Sequence, residues 1–171
     1  MSTRTERDFL GERQISGEAY YGVQTQRGMD NFRITGVPMS AEPEFVRASG
    51  FVKKAAALAN RDLGVLDRDI ADAVVVACDR LIAGELRDQF PTDFIQGGAG
   101  TSTNMNANEV IANLALEHRG HHKGEYQFVS PNDHVNYGQS TNDVYPTAFR
   151  LALILRLTRD MKALKQLQAA F

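Results

Sequence analysis

Gln139-Ser140-Thr141-Asn142-Asp143 stacks small hydroxyl and amide side chains immediately ahead of a long helical pattern that continues to Phe171. The pattern predicts one long helix over residues 143–171. Asn142 or Asp143 is placed to cap it, and Pro146 falls within the first turn, where its missing N–H costs no intrahelical bond. Leu151 to Leu155 is apolar almost all round, between Arg150 and Arg156. Leu157, Met161, Leu164 and Phe171 then follow a seam of threes and fours. A helix with so wide an apolar surface needs neighbours on several sides. The remainder of the chain does not obviously supply them, so the reading is a piece of a longer chain or a helix of an oligomeric bundle.

A second stretch upstream repeats the design: Gly97-Gly98-Ala99-Gly100-Thr101-Ser102-Thr103-Asn104-Met105-Asn106. A phosphate loop would need Lys after its last glycine, and a dinucleotide fingerprint would need a third glycine at Thr103; neither is present. The glycines are better suited to left-handed backbone or to close approach of a ligand. Hydroxyls and free backbone N–H groups at a helix start form an anion site. A cap needs only one such side chain, so the surplus in Thr101, Ser102, Thr103, Asn104 and Asn106 favours binding, against a plain helix-capping turn. Two such sites in one chain point to small carboxylates.

Working outward, Phe45, Val52, Ala55, Ala56 and Ala59 recur at helical spacing from Glu44, and Gly64 supplies a stop. Asp67 is the expected N-cap of a second helix with Ile70, Val74, Ala77 and Leu81 on one face, closed by Gly84. A third helix over residues 103–119 turns Ala107, Val110, Ile111 and Leu114 inward and ends at Gly120. Residues 121–141 read as loop. Near the N-terminus, Arg13-Gln14-Ile15 and Ala19-Tyr20-Tyr21 read as two short strands around Ser16-Gly17-Glu18. The fold class is therefore mainly α, a helical N-terminal domain with a short β-hairpin.

The chain has 171 residues, 43% of them hydrophobic and 23% charged, which suits a globular protein with one core. A net charge of -2 gives no electrostatic basis for nucleic acid or anionic lipid. The single cysteine, Cys78, cannot staple the fold and reads as a small core residue of a reducing compartment. No secretory signal or membrane-spanning run is apparent, so the expected location is the cytoplasm. His118, His121, His122 and His134 lack metal-ligand patterns and are expected on the surface or in loops. Arg47, Lys53 and Lys54 read as a solvated helix face. Arg27 is placed to pair with a carboxylate, of the protein or of a ligand.

Several segments in register carry a family resemblance: Leu10-Gly11, Tyr20-Tyr21-Gly22, Asn31-Phe32, GGAGTSTNMNANEV at 97–110, Lys123-Gly124-Glu125-Tyr126, Pro131-Asn132-Asp133-His134-Val135-Asn136, and QSTNDVYPT at 139–147. Over nearly its whole length the chain resembles the N-terminal part of the aspartase/fumarase superfamily. Ser102 after Thr101, Thr141 between Ser140 and Asn142, and Ser130 before Pro131 depart from the class II fumarases toward the aspartate ammonia-lyase branch. That resemblance implies reversible deamination of L-aspartate to fumarate and ammonia through an enediolate, with no organic cofactor and no catalytic metal. It implies that Thr101, Ser140 and Thr141 contact the carboxylate beside the departing proton, and that Asn142, with Thr101, holds the amino group. It further implies a homotetramer with residues 1–141 as the N-terminal lyase domain and 142–171 as the first helix of a central bundle. The catalytic base of the family lies in a Gly-Ser-Ser loop that has no counterpart here. The chain alone is therefore expected to be inactive. A fumarate hydratase, and a carboxylate-binding or assembly module without chemistry, are the alternatives.

Overall fold

The computed structural model describes residues 2–171. Strands β1 (Thr3–Asp8) and β2 (Gly11–Ser16) pair antiparallel, with Thr3 opposite Ser16 and Asp8 opposite Gly11. The expected hairpin is present, but its turn lies at Phe9-Leu10 and residues 19–21 are not a strand. Two exposed apolar residues at the tip hid this turn. It is closed by Asp8 Oδ1, which accepts from Leu10 N–H at 2.9 Å. The Arg4 guanidinium donates to the carbonyls of Ser16, Ala19 and Tyr21 at 2.9, 2.7 and 2.7 Å, and so fixes the path out of β2.

Helix α1 (Val23–Asn31), which the sequence pattern did not predict, follows directly. Helices α2 (Pro43–Asp62) and α3 (Arg68–Ile82) then pack side by side. Asp67 caps α3 as expected, its Oδ1 accepting from the N–H groups of Asp69 and Ile70 at 2.9 and 3.2 Å; such a cap stabilises by about 1 kcal/mol. The inward face of α2 differs from expectation. Ala55 and Ala59 are exposed, and the buried stripe runs Phe45, Ser49, Lys53, Ala57 at i, i+4. Two polar residues within it concealed the period, and Lys53 is a core residue where a solvated one was read.

Helix α4 (Thr101–His118) is buried almost all round from Thr103 to Leu116. Its residues Val110, Ile111 and Leu116 meet Val46 of α2, Val74 and Leu81 of α3, and Phe90 and Val129 in a single core. Cys78 sits in that core with no exposed surface, and burial pushes its thiol up to about 12. After a five-residue π-helical turn at Pro131–Val135, helix α5 (Thr141–Ala170) begins. It packs against α2 and α4 and buries Val144, Ala148 and Ala152, and Arg156 one turn on pairs with Glu42 at the start of α2. Beyond Ala152, Leu153, Ile154, Leu157, Met161, Leu164 and Leu167 are exposed. Among the described residues, no helix is long and apolar enough to cross a membrane.

Candidate functional site

The two polar stretches meet. Gly98, Ala99 and Gly100 form a tight turn in which all three residues are left-handed, at φ 67, 52 and 91°. Glycine tolerates this and Ala99 does so at a cost. Gly100 lies against the start of α5: a Cβ there would collide with the Tyr145 ring. Tyr145 is held in turn by Phe45, with ring centroids 5.2 Å apart. The two loops enclose an open groove of about 430 Å³, lined by Gln96, Ala99, Gly100, Asn142, Tyr145 and Pro146 among others.

The four residues singled out for binding surround this junction in different states. Thr101 is exposed, and its hydroxyl donates to the Gly98 carbonyl at 2.5 Å. Its proton is thus engaged and its lone pairs remain to accept. Ser140 is the N-cap of α5, a role expected of Asn142 or Asp143. Its Oγ accepts from Asn142 N–H at 3.2 Å, which leaves its hydroxyl proton for another acceptor. Thr141 is half-buried, and its Oγ1 accepts from Asn104 Nδ2 at 3.0 Å, so its proton is likewise available. Asn142 is exposed and lines the groove. Two helix starts, α4 and α5, bring their unpaired backbone N–H groups to the same region.

Most of the surplus amides and hydroxyls on α4 serve the interior, against the binding role read for them. Thr103 bonds Thr92 at 3.2 Å and is also hydrogen-bonded to Gln96, and Asn106 donates to the Gln89 carbonyl at 2.8 Å. Asn104 faces Thr141 and Asn136. Lys53, expected on a solvated helix face, is instead buried here. Its Nζ donates to Asn136 Oδ1 and to Gln139 Oε1, both at 2.9 Å, directly behind this junction. Burial pushes its ammonium down to about 7, with Cys78 opposing. The signal lay in its i+4 relation to Ser49 and Ala57, not in its charge.

A second polar cluster is closed. The first N–H groups of α1 point at two buried carboxylates. Glu109 accepts from the N–H groups of Gly22, Gln24 and Thr25 at 2.8, 2.7 and 3.1 Å and from the Thr25 hydroxyl at 2.6 Å. Glu6 accepts from Val23 N–H at 2.9 Å and from the Tyr126 hydroxyl. Burial pushes the Glu109 carboxyl up to about 7, against the pull of Thr25 and Gln24, and the charge of Glu6 adds to the rise. Gly22 is required here, because any Cβ would collide with Glu6 and with the Tyr126 hydroxyl. Arg27, left open by the sequence, pairs within the protein: its Nε and Nη2 reach Asp8 at 2.7 Å each. That bidentate bond holds the Asp8 carboxyl below its usual range, against burial. His134 and His121 are engaged locally, by Ser130 N–H at 2.9 Å and by stacking on Phe128.

A family model described as "Lyase" matches residues 11–171, and the chain belongs to that lyase family. The chain is 55% identical to an aspartate ammonia-lyase of Helicobacter pylori strain J99, over 98% of this chain and 36% of the relative. It is 52% identical to an aspartate ammonia-lyase of Escherichia coli K12, over 98% of this chain and 35% of that protein. The chain thus spans about a third of the length of the curated relatives it matches. Among solved structures, a fumarate lyase:delta crystallin from Brucella melitensis superposes with a TM-score of 0.96 at 55% identity, covering 99% of this chain and 39% of that one. A class II fumarase from Schistosoma mansoni gives 0.83 at 38% identity, covering 89% of this chain and 32% of the other.

Proposed function

We propose that this chain supplies part of the substrate site of an aspartate ammonia-lyase, which reversibly converts L-aspartate to fumarate and ammonia. One observation supports this most directly: two helix starts adjoin one groove, and the hydroxyls at those starts differ in what they can offer. Thr141 and Ser140 each accept from the protein and keep a proton to give. Thr101 gives its proton to Gly98 and keeps lone pairs. The first two suit a carboxylate and the third suits an ammonium, the two ends of the reacting half of aspartate. Asn142 at the groove wall completes the amino-group contacts.

The chemistry demands such donors. Removal of a Cβ proton beside an ionised carboxylate places a second negative charge on that carboxylate. The enediolate then expels ammonia as the Cα–N bond breaks. Hydroxyls and backbone N–H groups that strengthen toward the dianion lower the barrier by about 2.7–4 kcal/mol each in comparable sites. The base that takes the proton is assigned to sequence outside residues 1–171.

On this reading residues 1–141 form the N-terminal domain and residues 142–171 the first helix of a central bundle in a homotetramer. The exposed apolar side of α5, from Leu153 to Leu167, supports that placement. The test is the complete polypeptide supplied with aspartate and, separately, with malate, each followed by fumarate absorbance. Release of fumarate from aspartate is the expected result. Fumarate from malate alone would instead make it a hydratase. The 171-residue chain by itself is expected to release none from either.

A further inference from the structure

Lys53 stands behind the proposed carboxylate site and touches it only through amides. Its Nζ donates to Asn136 Oδ1 at 2.9 Å. The same oxygen accepts from Asn104 Nδ2 at 3.1 Å and from Asn108 Nδ2 at 3.2 Å. Asn104 Nδ2 gives its second hydrogen to Thr141 Oγ1 at 3.0 Å. Two partners set the direction of this chain: the Lys53 ammonium, and the Gln139 carbonyl, which accepts from Asn136 Nδ2 at 3.1 Å. An ammonium can only donate, so Asn136 must present its oxygen. An oxygen there obliges Asn104 to present nitrogen, and that nitrogen makes Thr141 an acceptor. The Thr141 proton is then left for whatever lies at the start of α5.

This orientation is held against a local preference. Oδ1 of Asn104 is buried and has no hydrogen-bond partner among the described residues. Were Asn104 reversed, that oxygen could accept the Thr141 proton and be satisfied, with the hydroxyl turned inward and lost to a ligand. Nothing on α4 or α5 prevents the reversal; Asn136 does, held by Lys53 on its oxygen and by the Gln139 carbonyl on its nitrogen. Lys53 has no ion-pair partner among the described residues, and the groups around it are neutral: Ser49 on its own helix, the Cys78 thiol from α3, Thr103 and Asn104 from α4, Val144 and Ala148 from α5, and the amides of Asn136 and Gln139.

We propose that Lys53 is a positioning residue that, together with the Gln139 carbonyl, fixes the donor sense of the Asn136–Asn104–Thr141 chain and thereby keeps the Thr141 hydroxyl pointed at a substrate carboxylate. The inference rests on the carboxylate reading of Thr141 given above. It also carries a pH signature, because a neutral amine can accept as well as donate and leaves the Gln139 carbonyl alone to hold Asn136 in this sense. With burial placing that transition at about 7, carboxylate affinity falls as pH rises through it.

The experiment is a double-mutant cycle in the complete polypeptide, read by calorimetric titration with fumarate. Thr141→Val and Lys53→Met should each weaken fumarate binding about tenfold, the size of one hydrogen bond to a charged group. The double variant should be no weaker than Thr141→Val alone, and Lys53→Met should abolish the loss of affinity above neutral pH. A double variant weakened by the product of the two single effects would show that the lysine acts independently of Thr141 and would overturn the inference, leaving the carboxylate reading intact. Unchanged affinity in Thr141→Val would instead remove the carboxylate contact itself. If Lys53→Met does not fold, Asn104→Ala cuts the chain with the lysine in place, and the same cycle against Thr141→Val decides.

Discussion

Helices α1 and α5 begin in opposite ways. The first N–H groups of α1 are filled from inside the molecule by Glu109 and Glu6, brought from α4 and β1. The start of α5 has a hydroxyl cap, no inward carboxylate, and a groove beside it. Partial positive charge at a helix start attracts an anion in either case. The protein satisfies that attraction permanently at α1 and leaves it available at α5. An end already occupied by carboxylate is a structural joint; an end flanked by unused hydroxyl protons is what the proposed carboxylate site requires.

The largest expected effect breaks the joint. Glu109→Ala strands three backbone N–H groups and the Thr25 hydroxyl in the interior. It should cost about 3–5 kcal/mol in urea unfolding. A loss below about 1 kcal/mol would mean that α1 does not depend on its carboxylates, and the contrast with α5 would fail. Next, Gly100→Ala must displace the Tyr145 ring and strain a left-handed residue; about 2 kcal/mol of stability and most of the groove should go together.

A smaller effect sharpens the open end. Thr101→Val should weaken aspartate more than fumarate, because only aspartate carries the ammonium that Thr101 can accept from. Equal losses for the two ligands in titration would return Thr101 to the carboxylate. The last case extends the comparison to a loop. Asp93 accepts from the N–H groups of Ile34, Thr35, Gly36 and Ile95 and from the Thr35 hydroxyl. Burial pushes its carboxyl up, but those bonds outweigh burial and hold it at about 2. Its folded value is thus depressed, so its contribution is complete above 3.8 and is lost as pH falls through about 2. Asp93→Asn should flatten the acid limb of the urea midpoint across that window; an unchanged limb would assign it to other carboxylates.

Recurrent apolar residues bounded by caps and glycines made α2, α3, α4 and the long α5 readable as helices, although the buried face of α2 lies elsewhere than the period suggested and α4 is buried almost all round. They could not reveal α1, whose buried residues are Val23, Thr25 and Gly28 and whose capping groups come from residues 6 and 109. The same limit applies at the candidate site. Ser140, Thr141 and Thr101 were visible as local clusters of hydroxyls at helix starts. Lys53 was not, since its partners lie 83 and 86 residues away and its neighbour Lys54 is a surface lysine paired with Asp79. Whether an amide gives or accepts is a property of the folded network and is not written in any one segment.

Cys78 has a consequence for following this protein in solution. Its sulfur is sealed between α2 and α3 and is reluctant to ionise, so an alkylating reagent meets it only when those helices part. With no other thiol in the sequence to confuse the signal, the rate of labelling serves as an internal clock for how often the interior opens.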